Sequence, residues 1–122
     1  MIRRLLPVMI VLVAACEGGH DAPQYQAAVG GDATRGAVLI RAMGCGSCHT
    51  IPGIRGANGA VGPPLDFFSR RTYIAGQFPN SPSNLVSWLR DPPALQPGTA
   101  MPKLGLSDQQ ARDIAAYLYT LS

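Results

Sequence analysis

Cys45-Gly46-Ser47-Cys48-His49 carries more chemistry than any other stretch of this 122-residue chain. Two thiols three residues apart, followed at once by an imidazole, form the C-x-x-C-H pattern of covalent haem attachment. On one helical turn both sulfurs can reach the two vinyl groups of the macrocycle and form thioethers. His49 is then presented to the iron as a strong-field axial nitrogen. Three other uses of the same residues compete. A redox dithiol calls for a βαβ setting, which the flanking sequence does not offer. A zinc site wants about four ligands, and the only further candidates are Cys16 and His20, far upstream. A plain disulfide leaves His49 without a role.

Outward from the motif, the pattern is helical. Asp32 is a plausible N-cap, and Ala33, Gly36, Ala37, Ile40 and Met43 recur at helical spacing before Gly44, a C-cap. Gly36 costs about 1 kcal/mol relative to Ala inside a helix, which implies close packing there. Downstream, a short helix is expected from Ser81-Pro82 through Leu85, Trp88 and Leu89 until Asp91-Pro92 ends it. The last helix is announced by Ser107 and Gln110 as a capping box, followed by Ala111, Ile114, Ala115, Leu118 and Leu121 on one face. The intervening loops are long and rich in Gly and Pro, with no convincing alternating strand. The expected fold class is all-α, with three or more short helices. Its loops are too long for a compact domain unless something else fills the middle. A single domain of this size also has a marginal protein-only core, so a prosthetic group is expected on grounds of stability.

The N-terminus reads as a targeting segment. Arg3 and Arg4 precede an apolar run from Leu5 to Ala15, too short to span a bilayer comfortably. Val13-Ala14-Ala15-Cys16 resembles the lipobox of bacterial lipoproteins, and the expectation is residues 1–15 as the signal and Cys16 as the lipid-modified first residue, with ordinary cleavage leaving a spare thiol, or an uncleaved anchor, as the alternatives. Lipidation also accounts for an odd cysteine count in an exported chain. Residues 16–31, with Gly18, Gly19, Pro23, Gly30 and Gly31, read as a flexible tether with a span on the order of 20 Å. Loss of Arg3 and Arg4 with the signal leaves 8 basic and 7 acidic residues, so the formal charge falls from +3 to +1. Two haem propionates would cancel or reverse that. No basic stripe with interleaved aromatics is present, and nucleic-acid binding is not expected.

From Asp32 to Leu121 the sequence resembles the class I, mitochondrial-type cytochrome c domain. The landmarks are Gly36 and Ile40, Cys45 to His49, Gly62-Pro63-Pro64-Leu65, Pro97-Gly98-Thr99-Ala100-Met101, and Ile114 with Tyr117-Leu118. The stretch from Arg70 to Trp88 resembles, more narrowly, the cytochrome c domains fused to subunit II of haem–copper oxidases. The resemblance implies one covalent haem c wrapped by residues 32–122, with Met101 as the sixth ligand of the iron. A thioether is a soft neutral donor that raises the potential relative to a second His. Met101 also sits between Ala100 and Pro102, off any helical face, where a gap-filling core Met fits poorly. The resemblance implies that the Pro63 carbonyl accepts a hydrogen bond from the His49 ring, raising its basicity. It further implies that Arg70, Tyr73 and Trp88 donate to the propionates. Which of Arg70 and Arg71 turns inward is open, and Trp88 serves equally well as plain core. Gly36 against Tyr117 is expected to be a close helix crossing.

The function these features imply is single-electron transfer by a carrier that is not itself an enzyme. It would sit on the extracytoplasmic, periplasmic side, held to a membrane through Cys16. The implied partners are an upstream quinol-oxidising complex and a terminal haem–copper oxidase. The alternative is an electron-transfer subunit of an exported dehydrogenase or reductase, which shares every haem feature. A haem enzyme or gas sensor needs a displaceable sixth site, and Met101 argues against it.

Overall fold

The computed structural model describes residues 29–122. The expected signal, Cys16 and most of the expected tether lie outside these residues. Among the described residues four α-helices are complete: α1 (Ala33–Ala42), α2 (Pro82–Arg90), α3 (Pro92–Leu95) and α4 (Asp108–Leu118). Two single-turn 3-10 helices, Cys45–Ser47 and Phe68–Arg70, interrupt the long loop between α1 and α2.

The helix boundaries follow from local chemistry. Asp32 caps α1 by accepting from the Arg35 amide at 2.8 Å, and Ser81 caps α2 with Pro82 in the first helical position. Asp91-Pro92 ends α2 as expected, but it also starts α3: Asp91 accepts from the Ala94 amide at 3.2 Å. One aspartate therefore closes one helix and opens the next. The Ser107/Gln110 capping box of α4 is complete, with both reciprocal bonds present.

A strand pair was not expected. Tyr73–Ile74 (β1) and Phe78–Pro79 (β2) form a two-residue antiparallel hairpin, with Ile74 opposite Phe78. Alternation cannot be read over two residues. Ala75 takes a left-handed φ of 50° in the connecting turn, followed by Gly76 at 73°.

Helix α1 crosses α4, and α2 packs on α4 from another side. The crossing has no room for a side chain at Gly36: a Cβ there would collide with the Asp113 carbonyl and come within 3.0 Å of the Tyr117 Cβ. The expected tether also ends earlier than residue 31. Val29 is fully buried, and Arg112 Nη1 donates to its carbonyl at 2.8 Å. The folded part therefore reaches back to Val29, because α4 binds backbone that composition alone makes look like linker. The core joins Ile40, Ile51, Ile54, Phe68, Ile74, Leu85, Leu89, Ile114, Leu118 and Tyr119. Phe68 meets Tyr119 edge-on at 6.0 Å.

Candidate functional site

Helix α1 delivers the chain to the site. Gly44 leaves it in the left-handed region at φ 72°, a conformation glycine adopts without strain. Cys45–Ser47 then makes one 3-10 turn, and the amides of Cys48 and His49 both return to the Cys45 carbonyl, at 3.2 and 3.0 Å. That single turn brings the two cysteines and the histidine together. Both thiols are free: Cys45 is half-buried and Cys48 exposed. Burial pushes the Cys45 thiol up from its usual range. Reactive redox dithiols are instead held low.

The following loop folds back over the turn. The amides of Gly59, Gly62 and Leu65 donate to the carbonyls of Gly46, Cys48 and Thr50 at 3.0, 2.7 and 2.8 Å. The approach at Gly62 is close enough that a Cβ would strike the His49 ring, at 2.7 Å from Nδ1. His49 Nδ1 lies 2.8 Å from the Pro63 carbonyl. A carbonyl oxygen can only accept, so Nδ1 carries the proton and Nε2 keeps its lone pair for a metal. Tyr117 supports the loop from behind: its Cβ lies against Gly36, and its hydroxyl lies beside Gly53 and donates to the Pro52 carbonyl at 2.7 Å.

Met101 stands apart from this group, on the loop between α3 and α4. It is half-buried against the core, and its amide reaches the Thr99 hydroxyl at 3.3 Å. Trp88 is half-buried on α2, its ring 6.1 Å from that of Phe78. Tyr73 on β1 is 57% exposed.

The adjacent arginines divide their roles, at the two positions between which the sequence left the choice open. Arg70 lies on the surface with its guanidinium over the exposed Phe67 ring. Arg71 turns inward and donates through Nη2 to the carbonyls of Pro64 and Asp66. The 3-10 turn at Phe68–Arg70 rotates successive side chains apart, so neighbours in sequence face different surroundings.

Two polar groups central to this scaffold escaped the sequence reading. Asp113 is 5% exposed at its side chain and receives Arg35 Nε and Nη2, the Asp32 amide and Gln109 Nε2, all within 3.0 Å. The Arg35 guanidinium beside it holds its carboxyl well down, to about 2. Asn80 donates to the carbonyls of Phe68 and Arg71 and accepts from the Tyr119 hydroxyl at 2.9 Å, fixing the segment that presents Arg71. Neither role could be read locally, since Asp32 and Arg35 reach Asp113, and Tyr119 reaches Asn80, from distant parts of the chain. A cleft of about 380 Å³ lined by Ser83, Val86, Arg90, Asp108 and Arg112 includes none of the site residues. Its charges are already paired, with Asp108 taking both Arg90 and Arg112.

The donor set fits a covalent haem. Two unpaired thiols and one imidazole with a fixed tautomer share a turn, and a glycine lies flat against the imidazole where any side chain would displace it. Among the described residues no helix is long and apolar enough to cross a membrane.

Relatives agree with this geometry. The chain is 33% identical over 90 residues to cytochrome c oxidase subunit 2 of Alkalihalophilus pseudofirmus, a match covering 73% of the chain. It is 35% identical over 92 residues to cytochrome c oxidase subunit 2 of Bacillus subtilis, covering 70% of the chain. In both cases the match spans only 25% of the relative's own length. The Cytochrome c family model matches residues 33–122, from the first residue of α1 to the end of the chain. With the C-x-x-C-H turn, the His49–Pro63 hydrogen bond and the α1–α4 crossing in place, the chain belongs to the cytochrome c family, as a class I haem-binding electron-transfer domain.

Proposed function

We propose that this chain is a monohaem c-type cytochrome with His49 and Met101 as axial ligands, exported and lipid-tethered at Cys16. It passes single electrons from a quinol-oxidising complex to a haem–copper oxidase. The observation that carries the reading is the His49–Pro63 hydrogen bond on the Cys45–Cys48 turn. It leaves one imidazole nitrogen free in a defined direction beside two free thiols. The similarity to subunits of cytochrome c oxidases supports the choice of partner.

When bound, the haem iron supplies the one-electron couple, and the protein supplies attachment, orientation and potential. Cys45 and Cys48 hold the macrocycle through thioethers. Pro63 fixes the His49 ring and raises its basicity, while Met101 favours the reduced state as a neutral soft donor. Arg71, Tyr73 and Trp88 are the donors on the propionate side, with Arg71 taking the place first expected of Arg70. Anchoring at Cys16 needs more than one acyl chain to be stable, which a lipoprotein N-terminus provides.

The test is expression of the full chain in a host that matures c-type cytochromes. Haem is expected to stay on the polypeptide through denaturing electrophoresis, in the membrane fraction. Met101→Ala is expected to lower the reduction potential and admit carbon monoxide, and Cys16→Ala to release the protein into the soluble fraction. Haem stripped by acid–acetone overturns the attachment. An unchanged potential in Met101→Ala overturns the ligand, and a wild-type protein already soluble after lysis overturns the tether.

A further inference from the structure

The loop that carries Met101 is held at very few points. Residues 100 to 106 make no backbone–backbone hydrogen bond among the described residues. The Met101 amide reaches only the neighbouring Thr99 hydroxyl. At its far end the loop is held by packing, through half-buried Leu104 and buried Leu106. Between Met101 and these leucines lies Lys103, the only lysine in the chain. Its Nζ donates to Asp91 Oδ2 at 2.6 Å.

Asp91 is a firm anchor for that contact. Its second oxygen caps α3 through the Ala94 amide, and its own amide donates to the Ser87 carbonyl at 3.2 Å. Pro92, next in sequence, is fully buried. Backbone and carboxylate are thus both fixed at the α2–α3 junction, while Lys103 comes from the loop without backbone bonds. The carboxylate side chain is 34% exposed and the lysine 60%, so the contact is open to screening by salt.

We propose that Asp91 is a positioning residue for Met101: its ion pair with Lys103 latches the ligand loop to the α2–α3 junction and opposes departure of the thioether from iron. This rests on Met101 being the sixth ligand. The latch acts two residues from the sulfur, where the loop has no backbone bond of its own to resist displacement. Its effect is modest, because an exposed pair shifts an equilibrium only severalfold.

The experiment measures displacement of Met101 by imidazole in the oxidised, haem-bearing full chain. Asp91→Asn keeps an oxygen for the Ala94 amide and removes only the charge, and Lys103→Gln removes the other partner. Each is expected to bind imidazole roughly two- to fivefold more tightly than wild type, the range of an exposed ion pair. Lys103→Arg should retain the wild-type affinity, and the double variant should be no worse than either single one. Raising ionic strength should bring wild type toward the variants and leave the variants unchanged. Wild-type affinity in both single variants, or failure of Lys103→Arg to preserve it, overturns the latch. Met101→Ala separates the two claims. If it binds imidazole like wild type, the ligand assignment has failed and the latch falls with it. If it opens the site while Asp91→Asn and Lys103→Gln do not change affinity, the latch alone has failed.

Discussion

The loop from Cys45 to Leu65 and the loop from Gln96 to Leu106 present the two axial candidates, and they are built by different means. The first is a web of backbone hydrogen bonds, in which Gly59, Gly62 and Leu65 each return to the turn that bears His49. The second has two backbone bonds at its start, from Gln96 to the Pro92 carbonyl and from Thr99 to the Gln96 carbonyl, and then relies on leucine packing and a surface ion pair. Backbone bonds are directional and short, so the histidine side is fixed in orientation as well as in place. Packing and an exposed charge pair set a position but tolerate sliding. The histidine loop is thus a seat held by directional bonds, and the methionine loop a cover held by packing and one ion pair.

Hydrogen exchange on the haem-bearing protein offers the largest effect and the most direct way to break this contrast. Local opening free energies run from near zero up to the global value. The amides of Gly59, Gly62 and Leu65 should therefore be protected about a hundredfold or more beyond those of Ala100, Lys103 and Leu104. Equal protection in the two loops would erase the distinction.

Glycine substitution sharpens the contrast with a smaller effect. Gly62→Ala drives a methyl into the His49 ring, an overpacking that costs about 1–3 kcal/mol, with the upper end expected because Pro63 holds the ring. Gly105→Ala on the methionine side meets nothing within 4 Å and carries only its left-handed φ of 71°, a strain of about 1 kcal/mol. Chemical denaturation and the yield of covalent holoprotein should rank Gly62→Ala as the more damaged of the two. Equal losses would show that the seat is no more rigid than the cover.

The smallest effect concerns the clamp from which the seat hangs. Asp113 is ionised in the folded chain, with its carboxyl lowered from 3.8 to about 2. A carboxylate depressed on folding stabilises above its unfolded value and loses that contribution as pH falls through the folded one. Near neutral pH the contribution is about 2 kcal/mol, and it disappears between about pH 4 and pH 2. Asp113→Asn should therefore be destabilised by about 2 kcal/mol at pH 7 by urea unfolding. Its deficit against wild type should close across that acid window. A deficit that persists unchanged below pH 2 would show that shape, not charge, makes the clamp.

Features written in consecutive residues were legible before the fold was known. The C-x-x-C-H turn, the Ser107/Gln110 box and the Ser81-Pro82 start each depend on neighbours a few residues away. The hairpin at Tyr73 to Pro79 was missed because two-residue strands carry no period. The choice between Arg70 and Arg71 stayed open because composition at adjacent positions does not fix their direction.

By itself, then, the sequence determined the C-x-x-C-H turn, three of the four helices among the described residues and the class of fold. These follow from side-chain spacing on a single turn and from caps that satisfy local backbone groups. Tertiary structure alone decided the rest: that Val29 belongs to the core, that Arg71 and not Arg70 turns inward, and that Asp91 receives Lys103. It also decided that Asp113 holds Arg35 across 78 positions and that Asn80 meets Tyr119 across 39. The physical reason is range. A hydrogen bond or ion pair is won only when two groups arrive within about 3 Å, and for partners far apart in the chain only the packing of α1 and α2 on α4 brings them there.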